Sequence, residues 1–326
     1  MKFRTAVIGL ILLFLSPARA DLLQRAEVAS FIRDMVAEYD YDAEELNDIL
    51  GSVQLSEKVI AAISRPAEAL PWYRYRSIFI KPSRVRGGVE FWRRNQAQLE
   101  RARDLYGVPV EIMVAIIGVE TKYGRITGSF KVINSLSTLA FDYPKRSKFF
   151  TGELKHYLLL TREQSLDPHV LKGSYAGAMG IPQFIPSSYR AYAVDFDDDG
   201  LTDIWENPTD AIGSVGNYFK LHGWREGAGI ITPATIPERD ISGLLTKGLE
   251  PVLSAADMAT GGVIAENEID AAEKVKLLQL ENQDGYEYWL ALHNFYVITR
   301  YNHSALYAMA VYQLADAIKA RYQSAP

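Results

Sequence analysis

The longest apolar run outside the N-terminal segment is Val108-Pro109-Val110-Glu111-Ile112-Met113-Val114-Ala115-Ile116-Ile117-Gly118-Val119, and it ends on Glu120. Met113, Ile116 and Ile117 share a stripe with Glu120 at helical spacing, so the pattern predicts a buried helix with a carboxyl group at its last turn. Pro109 suits a first helical position, and Gly124 suits the C-terminal stop. Upstream, residues 22 to about 65 read as helices, with Phe31, Met35 and Val36 on one stripe and Leu46 and Leu50 on another. Leu70-Pro71-Trp72 interrupts that pattern, and Trp72-Tyr73-Arg74-Tyr75-Arg76 leads through Lys81-Pro82 into a polar helix from about Val89 to Tyr106. Residues 130–165 are helical again, broken at Tyr143-Pro144. After Trp224 the period changes. Ile230-Ile231-Thr232-Pro233 and Thr235-Ile236-Pro237 read as short extended pieces, while Val275–Leu280 and Tyr286–Leu292 read as strands around a turn at Asn282-Gln283-Asp284-Gly285. A helix from about Ser304 to Tyr322 closes the chain.

Composition narrows the class. Lys2 and Arg4 precede an apolar stretch from Ala6 to Leu15, and Ala18-Arg19-Ala20 supplies a small-x-small cleavage pattern. This predicts a signal peptide over residues 1–20 and export to the periplasm; the stretch is short against the roughly 20 residues of a membrane span. No transmembrane anchor is expected. The chain has no cysteine, which excludes a lipidated N-terminus, disulfides, thiolate metal sites and cysteine catalysis. Loss of Lys2, Arg4 and Arg19 would move the net charge from −5 to −8, since the leader carries no acid. An acidic exported chain without a basic run is a poor candidate for nucleic-acid binding.

Against this background Glu120 gains meaning. A carboxyl group on an apolar face is desolvated, which raises its pKa and suits a general acid for glycosidic cleavage. The competing reading is a structural salt bridge with Lys122 or Arg125. A second segment, Gly173-Ser174-Tyr175-Ala176-Gly177-Ala178-Met179-Gly180-Ile181-Pro182-Gln183-Phe184, combines small residues that admit a polymer with hydrogen-bonding and stacking groups at Ser174, Tyr175 and Gln183. Taken alone it reads better as a tight helix-to-helix turn that needs glycine for positive φ.

Together, Gly118-Val119-Glu120-Thr121-Lys122-Tyr123-Gly124 and Ser174 to Tyr189 resemble the lytic murein transglycosylase B family. Asp210-Ala211-Ile212-Gly213-Ser214-Val215-Gly216-Asn217-Tyr218-Phe219, Gly223-Trp224 and Arg300-Tyr301-Asn302-His303-Ser304 through Val311 are similar to that family in the same order. The resemblance implies an α+β, mainly α fold: a lysozyme-like catalytic core over residues 101–229, a helical region over 21–100, a small β-rich insertion over 230–292 and a returning helical segment over 293–326. It implies that Glu120 is the single catalytic acid/base. It also implies that Ser174, Gln183, Tyr218, Tyr301, Asn302, Tyr307 and, on a looser match, Tyr75 line a cleft for peptidoglycan glycan strands. No organic cofactor is implied, and protein partners are not specified. The missing lipid-attachment cysteine points to a soluble periplasmic form.

A third constellation, Asp195-Phe196-Asp197-Asp198-Asp199-Gly200-Leu201-Thr202-Asp203-Ile204-Trp205-Glu206, fits an EF-hand loop. Asp195, Asp197, Asp199, Leu201 and Asp203 occupy positions 1, 3, 5, 7 and 9, with Gly200 at 6 and Glu206 at 12. Clustered hard oxygens suit a structural Ca²⁺; the alternative is an acidic solvent loop. The similar family loop closes on the residue that is Asp210 here, so Asp210 and Glu206 compete for the last ligand. Of the five histidines none has metal or triad spacing.

Three activities follow as expectations. A lytic transglycosylase needs one carboxyl group, whereas a lysozyme-type hydrolase needs a second carboxylate, for which Asp142 is the candidate. A noncatalytic wall-binding protein would need neither.

Overall fold

The computed structural model describes residues 22–65, 70–238 and 240–324, so the leader expected over residues 1–20 lies outside the described residues. Helices carry most of the chain, with one small antiparallel sheet inserted late. The first three helices, α1 (Ala26–Tyr39), α2 (Ala43–Gly51) and α3 (Glu57–Ile63), precede α4 (Trp72–Phe79), α5 (Pro82–Arg94) and α6 (Gln96–Tyr106). The apolar run forms α7 (Val110–Thr121). Next come strand β1 (Phe130–Lys131), α8 (Val132–Asp142), α9 (Ser147–Glu163), β2 (Lys172–Gly173), α10 (Pro186–Tyr192) and α11 (Pro208–Leu221). The insertion holds β3 (Ile231–Thr235), β4 (Leu253–Ser254), α12 (Ala255–Thr260), β5 (Ile264–Ala265), β6 (Lys274–Asn282) and β7 (Gly285–Ala291). Helices α13 (His293–Tyr301) and α14 (Ala305–Ser324) end the chain.

Helix α7 is apolar on nearly every side, and ten of its twelve residues are buried. Such a helix belongs inside a bundle, not on its surface. It packs against α5, α6, α11 and α14, and α4 covers α14 from the other side. A second core joins Phe31, Met35, Leu46 and Leu50 of α1 and α2 to Leu154 and Leu158 of α9. Asp42 starts α2 by accepting hydrogen bonds from the backbone N–H groups of Glu44 and Glu45, which satisfies donors the helix cannot use internally.

The strand order of the sheet is β4-β6-β7-β3-β5, with every pair antiparallel. Side chains alternate across β6, as the period of two demands. Val275 and Leu277 face a small core of the insertion, while Leu278 and Leu280 belong to the core around α7. The sheet is therefore seated on the helical body by its own alternation, and Trp289 of β7 meets Tyr312 of α14 edge to face at 6.3 Å.

Four local expectations change. The polar helix predicted from Val89 to Tyr106 is two helices broken at Asn95, whose φ of −119° and ψ of 30° leave the helical region. Val36 is 37% exposed, because it follows Met35 by about 100° around α1 and so leaves the stripe. Pro109 is the N-cap of α7 and not its first helical residue. At the other end the chain turns at Lys122, with φ of 52°, before reaching Gly124.

Candidate active site

The end of α7 sets the position of Glu120. Lys122 and Tyr123 both have positive φ, and their N–H groups donate to the carbonyls of Gly118 and Ile117 at 3.2 Å. This is the left-handed closure that usually employs glycine. What holds two larger residues there is packing at Gly118: a Cβ on that glycine would lie 2.6 Å from the Tyr123 ring. The Tyr123 hydroxyl donates to the Arg84 carbonyl at 2.7 Å, and the Arg84 guanidinium donates back to the carbonyls of Gly118 and Val119. Helix-terminal carbonyls are thus satisfied by a cation, as the helix dipole favours.

Among the described residues neither Lys122 nor Arg125 forms an ion pair with the Glu120 carboxylate, so the salt-bridge reading is not realised. Arg125 pairs with Glu90 at 3.5 Å instead. The Glu120 carboxyl accepts a hydrogen bond from the Tyr307 hydroxyl at 2.5 Å. The residue keeps a partial opening to solvent while its carboxyl group is enclosed. Burial pushes its pKa up to about 7, and the Tyr307 hydrogen bond opposes that rise without cancelling it. No other charged group contributes to the shift.

The expected tyrosines do gather here. Tyr301 and Tyr307 are both held well above the usual phenol range, first by burial and next by the charge of Glu120. Tyr75 also acts on Tyr307. Tyr218 lies 4.7 Å from Tyr301 between ring centroids and stacks on His222 at 3.9 Å. Several of their hydroxyls are already engaged: Tyr218 donates to the Arg300 carbonyl at 2.6 Å and Tyr301 to the Pro182 carbonyl at 2.6 Å. These rings therefore offer faces and fix backbone. Asn302 and Tyr175 are exposed, Tyr175 by 37%.

The segment from Gly173 to Phe184 is a strap of short bridges, with Gly173 opposite Met179 and Met179 opposite Phe184. Ser174 Oγ accepts from the N–H groups of Ala176 and Ala178 at 3.2 and 3.0 Å, so it shapes the turn. Gln183 donates through Nε2 to the carbonyls of Thr127 and Gly180 at 3.0 and 2.9 Å, leaving its amide oxygen as an acceptor. The buried Thr121, next to Glu120, donates to the Ile181 carbonyl at 2.8 Å. On the other side of the strap, the Ile181 N–H donates to the Ile204 carbonyl at 2.8 Å. Gly180 is required there, since a Cβ would lie 2.6 Å from that carbonyl oxygen.

Ile204 belongs to the acidic loop. Asp195, Asp197 and Asp210 each present a carboxylate oxygen, and these oxygens lie within 4.8 Å of one another. Asp210 is fully buried and accepts the N–H groups of Phe196 and Asp203 at 2.7 Å each. Burial raises its pKa, the two backbone hydrogen bonds oppose the rise, and the charges of Asp197 and Asp195 add to it. The group does not take in Asp199 or Glu206. Asp199 caps its own turn by accepting from the Leu201 N–H at 2.8 Å, and the Leu201 side chain is 63% exposed. Asp203 accepts from Trp205 and Glu206 N–H groups, which makes it a turn-capping residue. Three clustered carboxylates, one of them buried with no cation beside it among the described residues, fit a hard divalent cation.

The sequence reading gave no role to Arg84 or Thr121. Thr121 lies within the Gly118–Gly124 motif, but its partner Ile181 is 60 residues away, and Arg84 carries no local signal. Asp142, the proposed second carboxylate, is paired with Arg25 at 2.7 Å.

Comparison with known proteins places these observations in a family. The transglycosylase SLT domain model matches residues 23–316. Membrane-bound lytic murein transglycosylase B of Escherichia coli strain K12 is 42% identical over 308 residues, which is 91% of this chain and 84% of that protein. The soluble lytic transglycosylase SltB1 of Pseudomonas aeruginosa superposes with a TM-score of 0.87 at 50% identity, covering 92% of this chain and 100% of the other. The Escherichia coli lytic transglycosylase Slt35, solved in complex with calcium, gives a TM-score of 0.86 at 42% identity over 93% and 96% of the two chains.

Proposed function

The chain belongs to the transglycosylase SLT domain family and is a lytic transglycosylase of peptidoglycan with a lysozyme-like fold, and on that premise we propose that Glu120 alone carries both proton transfers. The protonated carboxyl donates to the oxygen of the β-1,4 bond between N-acetylmuramic acid and N-acetylglucosamine. As the bond from that oxygen to muramoyl C1 breaks, the leaving sugar keeps the proton as its 4-hydroxyl. The resulting carboxylate takes the proton of the muramoyl C6 hydroxyl, whose oxygen bonds to C1. The product is a 1,6-anhydromuramoyl end, and Glu120 is protonated again.

The observation that carries this reading is the environment of Glu120. Its pKa is pushed up to about 7 by burial, and no second carboxylate adds to the shift. A hydrolase of the two-carboxylate kind needs that partner within about 10 Å, and Asp142 is committed to Arg25. Tyr307 holds the carboxyl in one orientation through both steps. Gln183, with Asn302 and the ring faces of Tyr75, Tyr301 and Tyr218, lines the path of the glycan, while Ser174 fixes the strap.

We further propose that Asp195, Asp197 and Asp210 hold a structural Ca²⁺, with Asp210 in preference to Glu206. The ion would supply counter-charge for a buried carboxylate. No helix among the described residues is long and apolar enough to cross a membrane; we place the mature chain in the periplasm on its leader-like N-terminus and its substrate.

The test is mass spectrometry of soluble products released from intact murein sacculi. Anhydromuropeptides, about 18 mass units below the hydrolytic products by the loss of one water, are expected. Reducing muropeptides would instead require a water-activating carboxylate and overturn the single-residue mechanism.

A further inference from the structure

Helix α4 presents two functional faces. Tyr75 points towards the catalytic side, where it acts on Tyr307. Tyr73 lies about 200° away around the helix, and Arg76 about 60° from Tyr73, so those two share the opposite face. There they line an open groove of about 560 Å³ whose other wall is the tip of the β6–β7 hairpin, with Gln283, Asp284 and Tyr286.

The chemistry of this groove is specific. Tyr286 is 57% exposed although nothing in the core requires an aromatic residue at a hairpin tip. Arg76 is exposed and forms no ion pair among the described residues. Residues 74–86 carry five basic side chains and no acid, in a chain whose net charge is −5. One of the five, Arg84, is committed to the end of α7. Aromatic faces suit the C–H faces of sugar rings, amides suit acetamido groups, and a free guanidinium suits a carboxylate in bidentate fashion.

We propose that this groove is an accessory subsite that grips the carboxylate of a peptide borne by the glycan strand, with Arg76 as the anion contact and Tyr286 as the stacking contact. The inference rests on the reading of the chain as a peptidoglycan lytic transglycosylase. A peptide-bearing glycan supplies both features the groove offers to bind, sugar faces for Tyr73 and Tyr286 and a carboxylate for Arg76 on the wall opposite Asp284. The groove is lined by the face of α4 that carries Tyr73, about 200° around the helix from Tyr75, and its lining does not include Glu120. It would therefore strengthen binding without touching the reacting atoms.

The experiment compares wild type with Arg76→Glu, Arg76→Gln and Tyr286→Ala on soluble peptide-bearing glycan fragments and on the same fragments stripped of peptide by an amidase, with the lactyl carboxylate that hydrolysis leaves then converted to an amide. Both substituted positions carry exposed side chains, and unchanged thermal unfolding will establish that each of the three variants is folded. KM for the peptide-bearing fragments should rise at least fivefold in Arg76→Glu, less in Arg76→Gln, with kcat and anhydro products unchanged. On stripped fragments Arg76→Glu should behave as wild type, while Tyr286→Ala should weaken both. Equal effects of Arg76→Glu on both substrates, or none on either, would overturn the proposal. So would loss of binding to anionic phospholipid vesicles with no change in KM, which would make the basic face a membrane contact. Failure of this subsite leaves the anhydro product intact, whereas failure of the catalytic reading removes it.

Discussion

Two buried carboxyl groups, Glu120 and Asp210, sit on either side of the same strap and are treated in opposite ways. Each has its pKa raised first by burial. Glu120 meets one phenol and no cation, at a site with a partial opening to solvent. Asp210 is closed off completely, accepts two backbone N–H groups, and faces Asp195 and Asp197. A carboxyl with one neutral donor and a raised pKa is suited to hold a proton and release it on demand. A carboxylate with two backbone donors and two like-charged neighbours is suited to a hard divalent cation. Burial alone therefore decides neither role; the neighbouring groups do. Between them, the hydrogen bonds from Thr121 to Ile181 and from Ile181 to Ile204 join the two regions through the strap.

The largest effect that would break this contrast is at Glu120. Glu120→Gln should lower turnover by at least about 10³-fold, the range of a general acid or base, while leaving glycan binding intact. Retained turnover measured on sacculi would move the chemistry elsewhere. The same variant has a signed effect on stability. Because the folded pKa of about 7 lies above the ordinary 4.5, the wild-type protein has its full stability below pH 4.5 and loses it as pH rises through 7. Glu120→Gln should thus unfold later than wild type at pH 8, by an amount on the order of 3 kcal/mol. Denaturant melts at pH 4 and pH 8 will show whether the gain appears only at the higher pH.

Next in size, Tyr307→Phe removes the one side-chain donor to Glu120 among the described residues. A hydrogen bond to a charged group is worth about 1.5–3 kcal/mol, so kcat should fall roughly 10- to 100-fold. The alkaline limb of the pH–rate profile should move upward, because the lost hydrogen bond had lowered the Glu120 pKa. An unmoved limb would separate Tyr307 from the titration.

Calcium sharpens the other half of the comparison. Chelation should lower the melting temperature by several degrees, since a ligand at about 100 times its Kd adds about 2.7 kcal/mol to the native state. Asp210→Asn should abolish that shift and Glu206→Gln should not; the reverse pattern would return the site to the twelve-residue template. The smallest effect is expected at Asp142→Asn, which breaks an exposed pair with Arg25 worth about 0–1 kcal/mol and should leave product chemistry unchanged.

Much of this was legible in the sequence because it was local. The nearly all-apolar run, broken only by Glu111, predicts α7 and places Glu120 at its last turn, and the apolar-rich Val275–Leu280 before the turn at Asn282–Gly285 predicts β6. The break at Asn95 was not, because no proline or glycine marks it. Nor was the C-terminal turn at Lys122, since its strain is relieved by the Tyr123 ring on Gly118 and by Arg84, 34 residues upstream. In the acidic loop, spacing alone offers Asp199 and Glu206, and the family resemblance adds Asp210; the fold brings Asp195, Asp197 and Asp210 together and turns Asp210, in the first turn of α11, inward. The phenol that holds the Glu120 carboxyl and opposes the rise in its pKa comes from 187 residues away.

The most direct measurement is a carbon-13 NMR titration of the Glu120 side-chain carboxyl in the free protein, assigned by difference from Glu120→Gln. A midpoint near 7 that rises further in Tyr307→Phe is the predicted result. A midpoint near the ordinary 4.5 would mean that Glu120 is ionised at neutral pH, and would contradict its role as the acid that starts the reaction.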